Sequence, residues 1–170
     1  MVSAMWLAVA LVAPVASAAI DTADSSIPVN PTTTLEMHVT ANCIAAEANC
    51  LFNTQANLRS GPDVLGFPGD LWARQTTTLR TMDRTIYLNP NFNAPNTRSF
   101  KSLTDVEFTT IYFGGGPPEK FRFQGNTWPV DSRTGGPRTD VPVIVCSHIQ
   151  VVYAGVNVTS PDACAQAAFS

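Results

Sequence analysis

The amino-acid sequence predicts an all-β protein: an antiparallel β-sandwich of immunoglobulin-like size, held by two disulfides and carrying at most a short C-terminal helical turn. Three observations lead there. Short runs in which apolar and polar residues alternate recur between Gly- and Pro-rich punctuation, the pattern of half-buried strands. No run beyond the apolar N-terminal segment has helical period. Four cysteines, Cys43, Cys50, Cys146 and Cys164, sit near the two ends of the strand-rich region, an even count suited to pairing. In a chain of 170 residues with 45% hydrophobic and 14% charged residues, this describes one domain with a real core.

The chain opens on "MVSAMWLAVALVAPVASAA", an uncharged apolar run that breaks at Pro14 and ends in small residues. It has the shape of a signal peptide over residues 1–18, with Ala16-Ser17-Ala18 as the cleavage pattern, and a retained N-terminal anchor is the alternative. Removal would leave no transmembrane span in the mature form. "IDTADSSIPVNPTT" is polar with two prolines, and Pro cannot donate to a strand ladder, so residues 19–33 are expected to form a flexible, exposed tether. The ordered domain is expected over 34–170.

In "TLEMHVTAN", Leu35, Met37 and Val39 alternate with Glu36, His38 and Thr40. "CIAAEANC" then closes a small loop, and Phe52, Thr54, Ala56 and Leu58 share a face on the way back, which predicts a hairpin over 34–59 with a disulfide across its connection. After the turn residues of "RSGPDVLGFPGD", the Thr-rich "LWARQTTTLRTMDRTIYLN" predicts one long bent strand or two short ones. "NPNFNAPNTRS" reads as irregular. "DVEFTTIYF" is fairly apolar on both faces and predicts a central strand. "GGGPPEK" predicts a flexible hairpin connection, "FRFQGNTW" and "VPVIVCSHIQVVYAGVNV" predict strands, and "SPDACAQAA" is the best helical candidate, with Ser160 as cap and Pro161 in the first turn.

Three disulfide connectivities are possible. Cys43 with Cys50 and Cys146 with Cys164 are favoured, because each pair is local and would fasten a segment with few other core contacts. A zinc site is disfavoured: there is no C-x-x-C pair, and His38 and His148 form no compact ligand set with the thiols. A net charge of −3 provides neither the basic footprint that nucleic acid requires nor a polybasic membrane patch. Gly114-Gly115-Gly116 is followed by Pro117-Pro118-Glu119 where a phosphate cradle needs Lys, Ser or Thr and a helix. The two histidines have no nucleophile context, and His148 is expected to pack beside the disulfide of Cys146. Carboxylate pairs such as Asp63 with Asp70, or Glu36 with Glu107, are the acid and base that a secreted polysaccharide hydrolase would require. No cofactor motif is present.

"GFPGDLWARQTTTLRT" holds the candidate ligand-binding residues Phe67, Trp72, Arg74 and Arg80, an aromatic and guanidinium edge suited to a sugar or an anionic headgroup. The competing and favoured reading has Phe67 and Trp72 plug the edge of the sandwich, with the threonines and arginines forming its solvated face.

The segments "LEMHVTANC", "GFPGDLWARQTTTLRT", "YFGGGPPEKF", "RTDVPVIVCSHIQVVYAGVNVTSP" and "CAQ" together resemble a group of uncharacterised small secreted proteins of mycobacteria and related actinobacteria. The likeness covers most of the chain after residue 18 and is one of overall pattern. It implies a bacterial exported or envelope protein, in which the sequon Asn157-Val158-Thr159 has no glycosylation role, and it brings no catalytic residues with it. The reading is therefore a secreted or envelope-associated, non-catalytic binding module without cofactor, whose partner is an envelope lipid, a glycan or another secreted protein. A secreted hydrolase or a purely structural surface protein is the alternative.

Overall fold

The computed structural model describes residues 20–102 and 104–170. The segment read as a signal peptide lies outside them. Two antiparallel sheets pack face to face as a sandwich. The front sheet runs β1 (Ile20–Asn30), β2 (Thr33–Ile44), β3 (Asn49–Ser60), β9 (Arg122–Asp131) and β6 (Ile86–Phe92), with the short β4 (Asp63–Leu65) also on β3. The back sheet runs β11 (Val156–Thr159), β10 (Val143–Tyr153), β5 (Trp72–Thr81), β8 (Asp105–Phe113) and β7 (Thr97–Lys101), with β12 (Ala163–Ala167) also on β10. Both expected disulfides are formed, Cys43–Cys50 across β2 and β3 and Cys146–Cys164 across β10 and β12, each joining directly opposed residues.

The predicted hairpin is β2 and β3. Leu35, Met37 and Val39 face Phe52, Thr54, Ala56 and Leu58 into the core, and Ala48 takes a left-handed conformation (φ 46°) to close the turn. Phe108 of the back sheet packs between Phe52, Phe92 and Phe123 of the front sheet, with ring centroids 4.9–5.9 Å apart. A buried polar chain also ties the layers. Gln75 donates to Thr54 Oγ1 at 2.5 Å, and the Tyr112 hydroxyl reaches Gln75 Oε1 at 3.3 Å, so that no deep amide is left unpaired there.

Several local expectations are corrected. Residues 20–30 are not a tether but the edge strand β1, paired with β2 from Ile20↔Asn42 to Asn30↔Thr33. Their alternation is real but weak: Ala23, Ile27 and Val29 point inward, and Pro28 is tolerated because the strand has a free edge. The connection is a tight turn in which Asn30 Oδ1 accepts the Thr32 N–H at 3.0 Å. "SPDACAQAA" is not helical. Ala163, Ala165 and Ala167 alternate inward with exposed Cys164 and Gln166 as β12, and small side chains suit a strand lying beneath β1 and β2. Ser160, instead of capping a helix, bridges the break between β11 and β12: its N–H donates to Ile149 O and its hydroxyl accepts the Ile149 N–H.

The Thr-rich run resolves into two strands in different sheets. Asp83 turns the chain between them, accepting the Thr85 N–H and hydroxyl at 2.8 Å each. "NPNFNAPNTRS" is not irregular throughout, since β6 extends to Phe92 with Pro90 at the sheet's free edge and β7 begins at Thr97. The glycine loop is pinned rather than flexible. Phe67 exchanges backbone hydrogen bonds with Gly116, and Lys120 Nζ donates to the carbonyls of Phe113, Gly114 and Gly115 at 2.8–2.9 Å. Carbonyls gathered around an ammonium have the wrong polarity for a phosphate.

Candidate functional site

The four residues proposed from the sequence do not form one site. Phe67 is buried, its ring 4.5 Å from that of Phe121, because the chain bends at Pro68-Gly69 and sends it into the sandwich. Trp72 and Arg74 do share the outer face of β5, as strand parity requires, with Trp72 half-buried and Arg74 exposed. Cross-strand register sets Val152, Trp72 and Phe113 in one row and Gln150, Arg74 and Ile111 in the next, and Phe113 is 64% exposed. Arg80 lies about 20 Å further along the strand, beside Phe100, Asp105 and Glu107.

The histidines are occupied by other groups. His38 Nδ1 lies 2.6 Å from Asp24 and its Nε2 2.8 Å from Asn57 Oδ1, while Glu36 accepts from Asn57 and, at 2.6 Å, from Arg59. Partial burial opposes the charge on Glu36. The hydrogen bonds of Arg59 and Asn57 and the charges of Arg59 and His38 outweigh it and hold the carboxyl below its ordinary range. This network belts β1, β2 and β3 together. His148 pairs with Asp162 at 2.7 Å on the back sheet's outer face, the same face as the Cys146–Cys164 disulfide. Neither ring is hydrogen-bonded to a hydroxyl among the described residues, so neither is set to activate a nucleophile. Glu36 and Glu107 lie on outer faces of opposite sheets and cannot grip one substrate bond.

A second acidic cluster surrounds Arg138, which bonds Asp140 at 2.6 Å and Asp131 at 3.0 Å. Asp131 is held below its ordinary range by the backbone N–H groups of Thr134 and Arg133, and Asp140 by its bond to Arg138. These contacts close the loop between β9 and β10.

A broad concavity lies on the front sheet's outer face. An open groove of about 510 Å³ is bordered by Asn42, Asn53, Asn91, Asn93, Gln124 and Asn126. Register explains the gathering: Asn42, Leu51, Asn126 and Asn91 are successive partners across β2, β3, β9 and β6, and Thr40, Asn53 and Gln124 form the next row. Neighbouring rows and strands place these groups at steps of about 5–7 Å. Elsewhere the amides are used internally, as in Asn57 to Glu36, Gln75 to Thr54, Gln55 to Arg122 and Gln150 to Asn157. No side-chain hydrogen bond among the described residues engages the groove amides, and Asn53 Oδ1 is enclosed without a partner. Leu51, 41% exposed, supplies an apolar surface at the centre.

Gly125 makes the groove floor possible. A Cβ there would lie 2.6 Å from Asn91 O and 2.8 Å from the Phe52 ring, so only glycine lets β6 and the two flanking phenylalanines, Phe52 and Phe92, close on β9. The groove was hidden in the sequence because its residues come from four strands spread between residues 40 and 126, and because Asn-rich segments read as turns. The one local signal is the alternation of amides with apolar residues in "LFNTQANL" and "NPNFN".

No protein-family model matches the chain, and no curated protein matches it. Among the described residues no helix is long and apolar enough to cross a membrane.

Proposed function

We propose that the protein is an exported, non-catalytic binding module of the cell envelope or extracellular space, and that it engages its partner through the groove on the front sheet. The observation that carries this reading is the set of unengaged amides around Leu51: exposed polar groups on a rigid ladder, shaped into a concavity and satisfied by nothing in the described fold. Two disulfides fit an oxidising compartment, and the resemblance to small secreted actinobacterial proteins points the same way. The partner is an envelope component: a glycan, a lipid or another secreted protein. The row of Val152, Trp72 and Phe113 with Arg74 is the secondary candidate.

The test is sedimentation of the purified oxidised protein with insoluble envelope material from the source cells. Retention of the wild type, its loss in Leu51→Arg with the fold intact by circular dichroism, and its persistence in Trp72→Ala support the groove. Loss in Trp72→Ala alone moves the site to the back sheet. Release of soluble fragments from the envelope polymer by the wild type replaces the binding reading with a hydrolase.

A further inference from the structure

We infer that the groove takes a neutral, polyhydroxylated ligand: a glycan strand laid across β2, β3, β9 and β6. The inference rests on the groove being the binding surface. Its first support is the chemistry of the amide. A carboxamide offers a donor pair and an acceptor on one planar group, and a sugar hydroxyl both donates and accepts, so neighbouring hydroxyls can be gripped by one side chain. Asn53, Asn126, Asn91 and Gln124 repeat that unit across strands at steps of about 4.8 Å, comparable to the length of a sugar ring.

The second support is the absence of charge. The residues lining the groove are all uncharged: Thr40, amides, Leu51, two phenylalanines and Gly125. A phosphate, a carboxylated sugar or an anionic headgroup calls for Arg or Lys at the contact, and here Arg122 is held by Gln55 and Lys101 contacts Asn89, outside the lining. A protein partner calls for aromatic and arginine anchors in an apolar centre, and here the apolar floor of Leu51, Phe52 and Phe92 is narrow, carries no arginine and is ringed by amides. Leu51 suits the C–H face of a sugar ring instead, with half-buried Trp128 on the same face of β9, two residues beyond Asn126. The four strands span about 14 Å between outer axes, room for a short run of rings rather than a single sugar.

The experiment is titration of the oxidised protein, by calorimetry and by backbone amide NMR shifts, with uncharged linear oligosaccharides of glucose, mannose, galactose and arabinose. Vesicles containing an anionic phospholipid serve as the charged comparison. Saturable binding of at least one neutral oligosaccharide is expected, with shifts centred on Asn53, Gln124 and Asn126. The double substitution Asn53→Ala with Asn126→Ala should weaken it at least tenfold while Trp72→Ala leaves it unchanged. Leu51→Arg, an exposed site, provides a second groove variant should the double variant not fold. Vesicle binding without oligosaccharide binding overturns the ligand class and leaves the groove standing if Leu51→Asp, which repels an anionic surface, abolishes it. Oligosaccharide binding that survives every groove variant overturns the groove itself. Binding of neither probe overturns the glycan inference, and retention on envelope material then decides the wider reading separately.

Discussion

The two sheets bury similar inner faces and present different outer ones. On the back sheet, polar pairs sit at the β10 end, His148 with Asp162 and Gln150 with Asn157 beside the Cys146–Cys164 disulfide, while Arg74, Arg80 and Glu107 stand exposed as charges further across the face. On the front sheet, the end near β1 is equally self-satisfied through Asp24, His38, Asn57, Glu36 and Arg59, but the amides around Leu51 are left open. Water satisfies an exposed amide at little cost, so stability alone gives no reason to gather such groups on one concave patch. The contrast between an outer face carrying exposed charges and an uncharged concavity rimmed by amides is the physical basis for placing the proposed function on the front.

The sharpest check is that both faces depend on one core. Phe108 belongs to the back sheet yet fills the space between three front-sheet phenylalanines. Phe108→Ala should cost about 3–5 kcal/mol, seen as a lower denaturant midpoint, and it should loosen both outer faces together in hydrogen exchange. Loss of protection on the back sheet alone would mean that the layers are less coupled than their packing indicates.

The disulfides separate the sheets more finely. Cys43–Cys50 closes a short loop of sequence separation 7 and is fully buried in the front sheet. Cys146–Cys164 spans a separation of 18 and its Cys164 end is exposed on the back. Loop-closure entropy assigns about 2.4 kcal/mol to the first and about 3 kcal/mol to the second. Limited reductant should open Cys146–Cys164 first, because a thiolate can reach it, and alkylation followed by peptide mapping reads the order. The groove should keep its ligand after that opening and lose order only when Cys43–Cys50 is removed, since Leu51 adjoins Cys50 on β3. Groove binding lost with the back disulfide would break the proposed independence of the two faces.

How far the sequence could anticipate this difference depended on the strength of each alternation. The β2–β3 hairpin was legible because Leu35, Met37 and Val39 are large and regularly spaced, and because Cys43 and Cys50 frame the turn. β1 and β12 were not, since their inward residues include Ala23, Ser25, Ala163 and Ala165, too small to mark a face against nearby prolines. Phe67 is buried, as its favoured reading expected, whereas Trp72, read with it as a buried plug, lies half-buried on the outer face of β5 beside Arg74, where strand parity sends it. The groove was illegible as a site: Asn53 meets Gln124, and Asn126 meets Asn91, only through long-range register, which local pattern does not encode.

The smallest expected effect tests the self-satisfied end of the front face. Glu36 has a carboxyl held below its ordinary value of 4.5, so the native state binds this proton less readily than the unfolded chain. A depressed folded value contributes stability that is fully present above the unfolded value and is lost as pH falls through the folded one. The wild type should therefore lose thermal stability faster than Glu36→Gln as pH is lowered from about 5, while at pH 7 the variant should be slightly the less stable, with the difference reduced by salt because Arg59 is about a third exposed. The aspartates around Arg138 retain their own acid response in both proteins, so the variant's slope should shrink without vanishing. Because Glu36 meets Arg59, His38 and Asn57 and lies outside the groove lining, ligand binding at neutral pH should not change. A variant that kept the full wild-type slope would place the acid response elsewhere. One that lost ligand would join the two halves of the front face into a single functional surface.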